Sequence, residues 1–180
     1  MKRSIPHFTV TLALMIFFGC GSKNIRSEST SNETMSTPGH NPYYSRTDTT
    51  VLHVANDEWK KVLPDSVYEV AREADTERAF TGKYWNFEGL GTYYCAVCGN
   101  KLFRSDAKFA SSCGWPSFFE TSRKNSVTYK EDHSYGMNRV EVLCGRCQSH
   151  LGHLFDDGPE PTGKRYCMNS VVLDFEPDAK

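Results

Sequence analysis

The sequence lacks three features that would each indicate a common class of protein. It has no excess of positive charge, since 21 Lys and Arg stand against 22 Asp and Glu for a net charge of −1. This balance excludes the strongly basic surface typical of nucleic-acid-binding proteins. Its longest apolar run, Phe8–Phe18, is too short to span a bilayer. Beyond two Cys-x-x-Cys pairs there is no internal repeat, so the 180 residues predict about one soluble domain plus a polar segment.

The first twenty residues have the pattern of an export signal. Lys2 and Arg3 precede the apolar run, and the run ends at "FFGC", which puts a small residue before Cys20. We expect residues 1–20 to be a signal peptide of the lipoprotein type, with Cys20 lipidated; the alternative is an ordinary cleaved signal with an unrelated cysteine. Both predict export to a compartment where disulfides persist. A lipidated protein would be anchored in a membrane, facing the periplasm or the cell exterior.

The composition then divides the chain into a tether, a domain and a short tail. Residues 21–50 are rich in Ser, Thr and Asn and have no hydrophobic period, so we expect a flexible tether. The domain is predicted over 51–176, and 177–180 form the tail. Two packing helices begin it, one capped by Asn56 and ended by Pro64, the next starting at Asp65 or Ser66. The apolar stripe of the second helix is predicted to contain Val67, Val70, Ala71 and Ala74.

From Gly89 onward, short apolar runs separated by turns predict strands. The runs are "GTYYC", "KLF", "RVEVL", "RYCMN" and "VVLDF", and the breaks between them are rich in Gly, Pro and Asp. The fold class predicted is mainly antiparallel β, with helices on the N-terminal side.

The two Cys-x-x-Cys pairs are the strongest local signal. Cys95 and Cys98 form the first pair, and Cys144 and Cys147 form the second. Four thiolates suit a tetrahedral zinc ion and leave no open coordination position, so we predict one structural Zn²⁺ per chain. The alternatives are two disulfides or two redox-active pairs. The second is disfavoured because no helical run follows either pair.

Cys167 is isolated, but its neighbours are suggestive. On a strand, Arg165, Cys167 and Asn169 share one face, and a guanidinium beside a thiol favours the reactive thiolate. A half-buried structural cysteine is the alternative.

Other residues add to the case for a reactive site. Cys113 lies in a loop of small residues from which it can reach another sulfur, and Trp115, stiffened by Pro116, can offer a flat apolar wall. His150 and His153 can donate protons or hydrogen bonds to a substrate oxygen. Ordinary packing is the alternative for the tryptophan and both histidines.

Taken together, these motifs closely resemble the B-type methionine sulfoxide reductases, which act on the R epimer. The resemblance covers about Trp59 to Phe175. It is carried by "CAVCG", "KF" at 108–109, "SSCGWPSF", "GM" at 136–137, and "RVEVLCGRCQSHLGHLFDDGPEPTGKRYCMNS".

The resemblance implies a role for each matching position. Cys167 would be the nucleophile and Cys113 the resolving cysteine, with a Cys167–Cys113 disulfide recycled by a thioredoxin-like reductant. Trp115 would contact the substrate methyl group. The remaining implied substrate residues are His150, His153, Arg165 and Asn169, and the implied zinc ligands are Cys95, Cys98, Cys144 and Cys147. The implied fold has two antiparallel sheets in a tent- or barrel-like arrangement, with helices alongside.

The function expected is reduction of free or protein-bound methionine-(R)-sulfoxide by a monomer that binds no nucleic acid. Two rival functions compete with it. A zinc-ribbon interaction module needs nothing of Cys167, and a Cys/His hydrolase leaves Cys113 unexplained.

Overall fold

The computed structural model describes residues 41–179. The predicted signal peptide, Cys20 and residues 21–40 of the predicted tether lie outside the described residues. None of the helices within 41–179 is long and apolar enough to cross a membrane.

Two short helices open the domain. Helix α1 is Asn56–Val62, with acidic residues in its first turn and lysines in its last, which complements the helix dipole. Pro64 separates it from α2, Asp65–Glu73, as predicted. The predicted cap at Asn56 is wrong: Ala55 occupies the N-cap, and Asn56 Oδ1 instead accepts a hydrogen bond from Arg72 Nε.

One side of α2 packs against the sheets. One residue of the predicted apolar stripe does not belong to this buried side. Val70 and Ala71 are buried as predicted, together with Tyr68. Ala74 is exposed, because it has left the helix and ends it in the left-handed conformation, with φ of 58°.

The described residues contain nine strands. Of the predicted segments, "VVLDF" is strand only from Leu173, since Val171 and Val172 lie in a 3₁₀ helix, and the strand of "RYCMN" ends at Met168. The nine strands are β1 Gly91–Cys95, β2 Lys101–Arg104, β3 Lys108–Phe109, β4 Ser117–Phe118, β5 Val127–Asp132, β6 Arg139–Cys144, β7 His150–Phe155, β8 Arg165–Met168 and β9 Leu173–Pro177. They form a three-stranded sheet in the order β2-β1-β9 and a six-stranded sheet in the order β3-β4-β8-β7-β6-β5. All pairs are antiparallel, which confirms the predicted fold class.

The core joins residues of both sheets and both helices. Phe103 of β2 and Phe118 of β4 are fully buried and stack with ring centroids 4.4 Å apart. Trp59 of α1 and Leu151 of β7 belong to the same buried cluster. Each large apolar side chain buried in this way contributes about 1.5–3 kcal/mol. The strands that carry the candidate site therefore pack directly on this buried core.

Residues 41–48 correct the predicted boundary of the tether. Tyr43 packs on Trp59, and Arg46 forms ion pairs with Asp174 and Glu176 of β9. The buried Arg146 donates to the Tyr43 carbonyl and forms an ion pair with Asp48. The expectation of a free tether up to residue 50 is wrong for this segment, because scattered aromatic and charged residues bind it to the domain without any periodic pattern.

Candidate active site and metal centre

A single row of paired residues crosses the six-stranded sheet and contains the predicted nucleophile. Ser117 of β4 lies opposite Cys167 of β8, Cys167 opposite His153 of β7, and His153 opposite Glu141 of β6. Paired residues in adjacent antiparallel strands project from the same face of a sheet. The fold therefore sets a thiol directly beside an imidazole.

A β-bulge brings the second histidine to the same place. Residues three apart on a regular strand face opposite ways, but the register between β6 and β7 shifts at Val142/Leu143. As a result the His150 and His153 rings lie 5.4 Å apart, edge to face. Gly152, with φ of 155°, makes this possible, since a Cβ there would meet the Cys167 carbonyl oxygen at 2.0 Å.

The two histidines differ in their surroundings. His153 Nε2 is 2.8 Å from Asp132 Oδ2, a carboxylate that the sequence analysis missed because it ends a strand 21 residues away. His150 is buried, and its Nδ1 is 2.7 Å from Glu141 Oε1. Burial lowers the pKa of His150 more than Glu141 raises it, which favours the neutral imidazole.

Cys113 and Cys167 lie side by side, as the resemblance implied. Their sulfur atoms are 3.5 Å apart, and both side chains are partly exposed. Cys113 Sγ is also 3.1 Å from Ser111 Oγ and 3.5 Å from Ser117 Oγ. A disulfide needs an S–S distance near 2.05 Å, so a small shift of the Cys113 loop would suffice to form one.

The two thiols titrate as a pair. Hydrogen bonding from Cys167 lowers the pKa of Cys113 to about 4, while burial opposes this and the Ser111 and Ser117 hydroxyls support it. The same contact with Cys113, and then burial, raises the pKa of Cys167; the Arg165 guanidinium lowers it by less. At Cys167 the contact with Cys113 outweighs the guanidinium, so Arg165 alone does not make Cys167 the acidic thiol.

This coupling predicts opposite effects for two substitutions. Cys113→Ser removes the thiolate that raises the pKa of Cys167, so the pKa of Cys167 falls. Cys167→Ala removes the thiol that hydrogen-bonds to the Cys113 sulfur, so the pKa of Cys113 rises above about 4. The pH dependence of iodoacetamide alkylation, read for each peptide by mass spectrometry, measures both. A Cys113→Ser variant whose Cys167 is alkylated only at the same or higher pH than in the parent would contradict the coupling.

A cavity of ≈110 Å³ opens beside Cys167. Its walls include Trp115, His153, Phe155 and Asn169. The Trp115 indole is fixed by a hydrogen bond from its Nε1 to the Glu77 carbonyl, 3.0 Å long. The cavity therefore combines a thiol, an aromatic wall and an imidazole.

The other predicted substrate residues are more remote or already engaged. His150 does not line the cavity; its ring contacts that of His153, which does. Arg165 does not line it either, because its guanidinium forms two hydrogen bonds with Asp157 and lies 4.3 Å from the Phe155 ring centroid. Asn169 lines the cavity, yet its Oδ1 accepts from the Glu77 amide and its Nδ2 donates to the Leu151 carbonyl.

The four remaining described cysteines form one buried cluster. All four sulfur atoms of Cys95, Cys98, Cys144 and Cys147 lie within 4.8 Å of one another. The two turns that carry them have matching backbone bonds: the Gly99 amide donates to the Cys95 carbonyl, and the Gln148 amide to the Cys144 carbonyl. Gly99 and Gln148 both have positive φ, 78° and 58°. Only the glycine was apparent from the sequence.

The geometry of this cluster fits a tetrahedral metal ion. The Cys95–Cys147 sulfur distance is 3.8 Å and the Cys98–Cys144 distance is 3.6 Å. A thiolate tetrahedron with zinc–sulfur bonds near 2.3 Å has edges of about 3.8 Å. The distances also exceed a disulfide bond, and the cysteines are free. The four cysteines are therefore positioned to bind a metal.

Comparisons with known proteins agree with this site. A family model described as "SelR domain" matches residues 63–177. A protein of Methanosarcina barkeri named "Peptide methionine sulfoxide reductase MsrB" is 55% identical over 122 residues, which cover 68% of this chain and 86% of that protein. Proteins with the same name from Thiobacillus denitrificans and Azotobacter vinelandii are 52% and 49% identical, over 67% and 70% of this chain and 91% and 95% of theirs.

The match spans the helix–sheet body that carries both the sulfur pair and the four-cysteine cluster. Relatives at this identity, aligned over most of their own length, share a fold. The chain belongs to the SelR-domain family of B-type methionine sulfoxide reductases.

Proposed function

We propose that this protein is a peptide-methionine (R)-S-oxide reductase that uses Cys167 as nucleophile and Cys113 as resolving thiol. The observation that carries the proposal is the 3.5 Å contact between these sulfurs beside a cavity walled by Trp115 and His153. Neither rival function accounts for it. A zinc-ribbon module needs no sulfur pair, and a Cys/His hydrolase needs no second thiol.

The first step is attack of Cys167 on the sulfoxide sulfur. A proton passes from the Cys167 thiol to the Cys113 thiolate across their contact, which leaves the nucleophile as a thiolate. As the bond forms, negative charge develops on the sulfoxide oxygen, and His153 is placed to donate a hydrogen bond or a proton to it. Asp132, bonded to His153 Nε2, holds that ring in position. The protonated oxygen then passes from the substrate sulfur to the Cys167 sulfur, so that the sulfoxide S–O bond and the new sulfur–sulfur bond both break. The substrate sulfur keeps the electron pair and leaves as methionine, and Cys167 becomes a sulfenic acid.

The second step returns the enzyme to a state that can be recycled. The Cys113 sulfur attacks the Cys167 sulfur, the S–O bond breaks, and the oxygen leaves as water while a disulfide forms. A thioredoxin-like dithiol then reduces this disulfide by thiol–disulfide exchange. Over one cycle the sulfoxide is reduced, two thiols are oxidised, and the external dithiol restores them.

Selectivity for one epimer follows from three fixed directions around the substrate sulfur. The Trp115 ring receives the methyl group through sulfur–aromatic and apolar contact. The His153 side of the cavity receives the oxygen, and the open mouth receives the rest of the methionine, free or within a protein. The mirror-image sulfoxide would put its oxygen against the indole, whose own N–H already donates to the Glu77 carbonyl.

A racemic methionine sulfoxide mixture tests the proposal directly. With a reductant present we expect the R epimer to disappear and the S epimer to remain, measured by chiral chromatography of the residual substrate. Loss of neither epimer would leave the interaction module as the better explanation. Equal loss of both would contradict the three-point geometry.

The Cys113→Ser variant tests the resolving step. With a thioredoxin system as reductant, we expect one turnover per chain and then a stall, because the sulfenic acid on Cys167 has no neighbouring thiol to condense with. A sulfenic-acid-specific reagent should then label Cys167, as read by mass spectrometry. Ser112→Ala, which changes an exposed neighbour in the same loop, is the matched control and should turn over repeatedly. Undiminished turnover by Cys113→Ser would show that another thiol resolves.

We propose that the metal of the four-cysteine cluster is one structural Zn²⁺. Four sulfur ligands complete a tetrahedron, so the ion would stabilise the fold without taking part in the redox steps. Cys95, Cys98, Cys144 and Cys147 would hold it. The Asn100 amide, 3.5 Å from Cys144 Sγ, would donate to one of the thiolates.

We also propose export, a lipid anchor on Cys20 and a monomeric state. The first two rest on Lys2, Arg3, the apolar run and the "FFGC" sequence. Mass spectrometry of the mature N-terminus would identify a lipidated Cys20, and a mature chain beginning elsewhere would refute the anchor.

A further inference from the structure

Glu77 lies outside the cavity but forms hydrogen bonds with two side chains that line it and with the backbone that follows β8. It belongs to segment 76–80, which is part of the connection between α2 and β1. Its carboxylate accepts hydrogen bonds from the Ser170 amide at 2.6 Å and the Val171 amide at 3.0 Å. Its own amide donates to Asn169 Oδ1, and its carbonyl accepts from Trp115 Nε1, both at 3.0 Å.

The carboxylate is needed because a short 3₁₀ helix, Ser170–Val172, begins three residues after Cys167. The first amides of a helix have no partner within it, and a carboxylate that accepts from two of them forms charge-assisted bonds. The space around the Glu77 carboxylate is too small for a side chain at the neighbouring Gly82. A Cβ on Gly82 would meet Glu77 Oε1 at 2.5 Å and Ser170 Oγ at 2.4 Å.

The same residue therefore fixes two walls of the cavity relative to the strand that carries Cys167. The carboxylate anchors segment 76–80 to the end of β8, and the backbone of that anchored residue holds the Trp115 ring and the Asn169 amide. We infer that Glu77 is a positioning residue that sets the width of the cavity between Trp115 and Cys167, and so restricts the substrate to a methyl sulfoxide. This inference rests on the proposed function.

The expected consequence is a change in selectivity rather than a uniform loss of rate. One extra methylene group in a close-fitting pocket is discriminated by about 10–200-fold. In Glu77→Gln an amide N–H₂ faces a backbone N–H, so one of the two anchoring bonds is lost. We expect kcat/KM for the methyl substrate to fall about tenfold and kcat/KM for an ethyl substrate to change little. The ratio of the methyl value to the ethyl value therefore falls about tenfold.

The experiment compares the R epimers of N-acetyl methionine sulfoxide and N-acetyl ethionine sulfoxide, with dithiothreitol as reductant so that no protein partner is involved. Glu69→Gln, the same change at an exposed position of α2, is the matched control and should keep the parent ratio. Glu77→Asp retains the charge and should lie between the parent and Glu77→Gln. Circular dichroism establishes that each variant is folded.

The outcomes separate this inference from the proposed function. A narrowed methyl-to-ethyl ratio in folded Glu77→Gln supports the inference, whereas an unchanged ratio, with or without a lower rate, overturns it. If Glu77→Gln does not fold, the methyl-to-ethyl ratio of Glu77→Asp is used instead: a narrowed ratio supports the inference and an unchanged ratio overturns it. If neither folds, Glu77 is a stability residue and the inference fails. A parent protein that reduces neither substrate refutes the proposed function instead.

Discussion

The Cys167→Ser variant should lose reductase activity by at least about 10⁴-fold while keeping its fold and its metal. A serine hydroxyl is a far weaker nucleophile than a thiolate, and removing the nucleophile of a catalytic set costs factors of this size. The change is nearly isosteric and the side chain is only partly buried, so packing of β8 should survive. Loss of the R epimer from a racemic mixture measures activity, and metal analysis with thermal unfolding measures the rest.

The matched control is Ser117→Ala. Ser117 lies directly opposite Cys167 in the same row and contacts Cys113 through its hydroxyl, so this variant perturbs the sulfur pair without removing a thiol. It should retain most of the activity. Activity retained by Cys167→Ser would remove Cys167 from its proposed role, and equal loss in both variants would point to a general disturbance of β4 and β8.

The chemistry-bearing residues could be found from the sequence because their signals are local. Two Cys-x-x-Cys pairs predict a metal cluster at any separation, since the two-residue gap alone sets the pair geometry. "RYCMN" alternates, so the side of the strand that carries Cys167 follows from the period of two. The observed burial, with Tyr166 and Met168 inside and Cys167 between them partly exposed, has this alternation.

The supporting residues could not be found in this way because their signals are tertiary. Asp132 reaches His153, and Glu77 reaches Trp115 and Asn169, across separations of 21 to 92 residues. Nothing in the sequence beside either carboxylate indicates a partner. The bulge that brings His150 to His153 depends on a shift in strand pairing, which the "HLGH" motif does not encode by itself. Sequence therefore predicts which atoms react, and the fold determines what holds them.

The pKa assignment illustrates the same limit. From "RYC" alone, an arginine two residues away predicts an acidic Cys167. In the folded protein the nearest ionisable neighbour is another sulfur, 54 residues away in the chain and 3.5 Å away in space. Because the contact with Cys113 raises the pKa of Cys167 more than Arg165 lowers it, the arginine alone does not decide which thiol ionises first. In the proposed mechanism, Cys113 accepts the proton that Cys167 gives up.

Removing the metal should destabilise the whole domain. The four cysteines are almost completely buried, between 0% and 3% exposed, and they join the turn after β1, in the three-stranded sheet, to the turn after β6, in the six-stranded sheet. Structural zinc contributes roughly 10–16 kcal/mol of apparent binding free energy in small domains, against a net folding stability of about 5–15 kcal/mol. We therefore expect a strong chelator, or Cys144→Ser, to lower the unfolding midpoint by more than about 15 °C or to abolish cooperative unfolding.

The effect of the metal is separated from the effect of losing a thiol by comparing two serine variants, one of a cysteine inside the cluster and one of a cysteine outside it. Cys113→Ser removes a thiol that belongs to the sulfur pair, so it should shift the unfolding midpoint by no more than a few degrees and retain about one zinc per chain by elemental analysis. Cys144→Ser should retain none. Activity should fall in Cys144→Ser in proportion to the unfolded fraction, because the proposed mechanism gives the cluster no part in the redox steps. An apoprotein that unfolds cooperatively at the parent temperature would show that the two sheets are held together by the aromatic core alone.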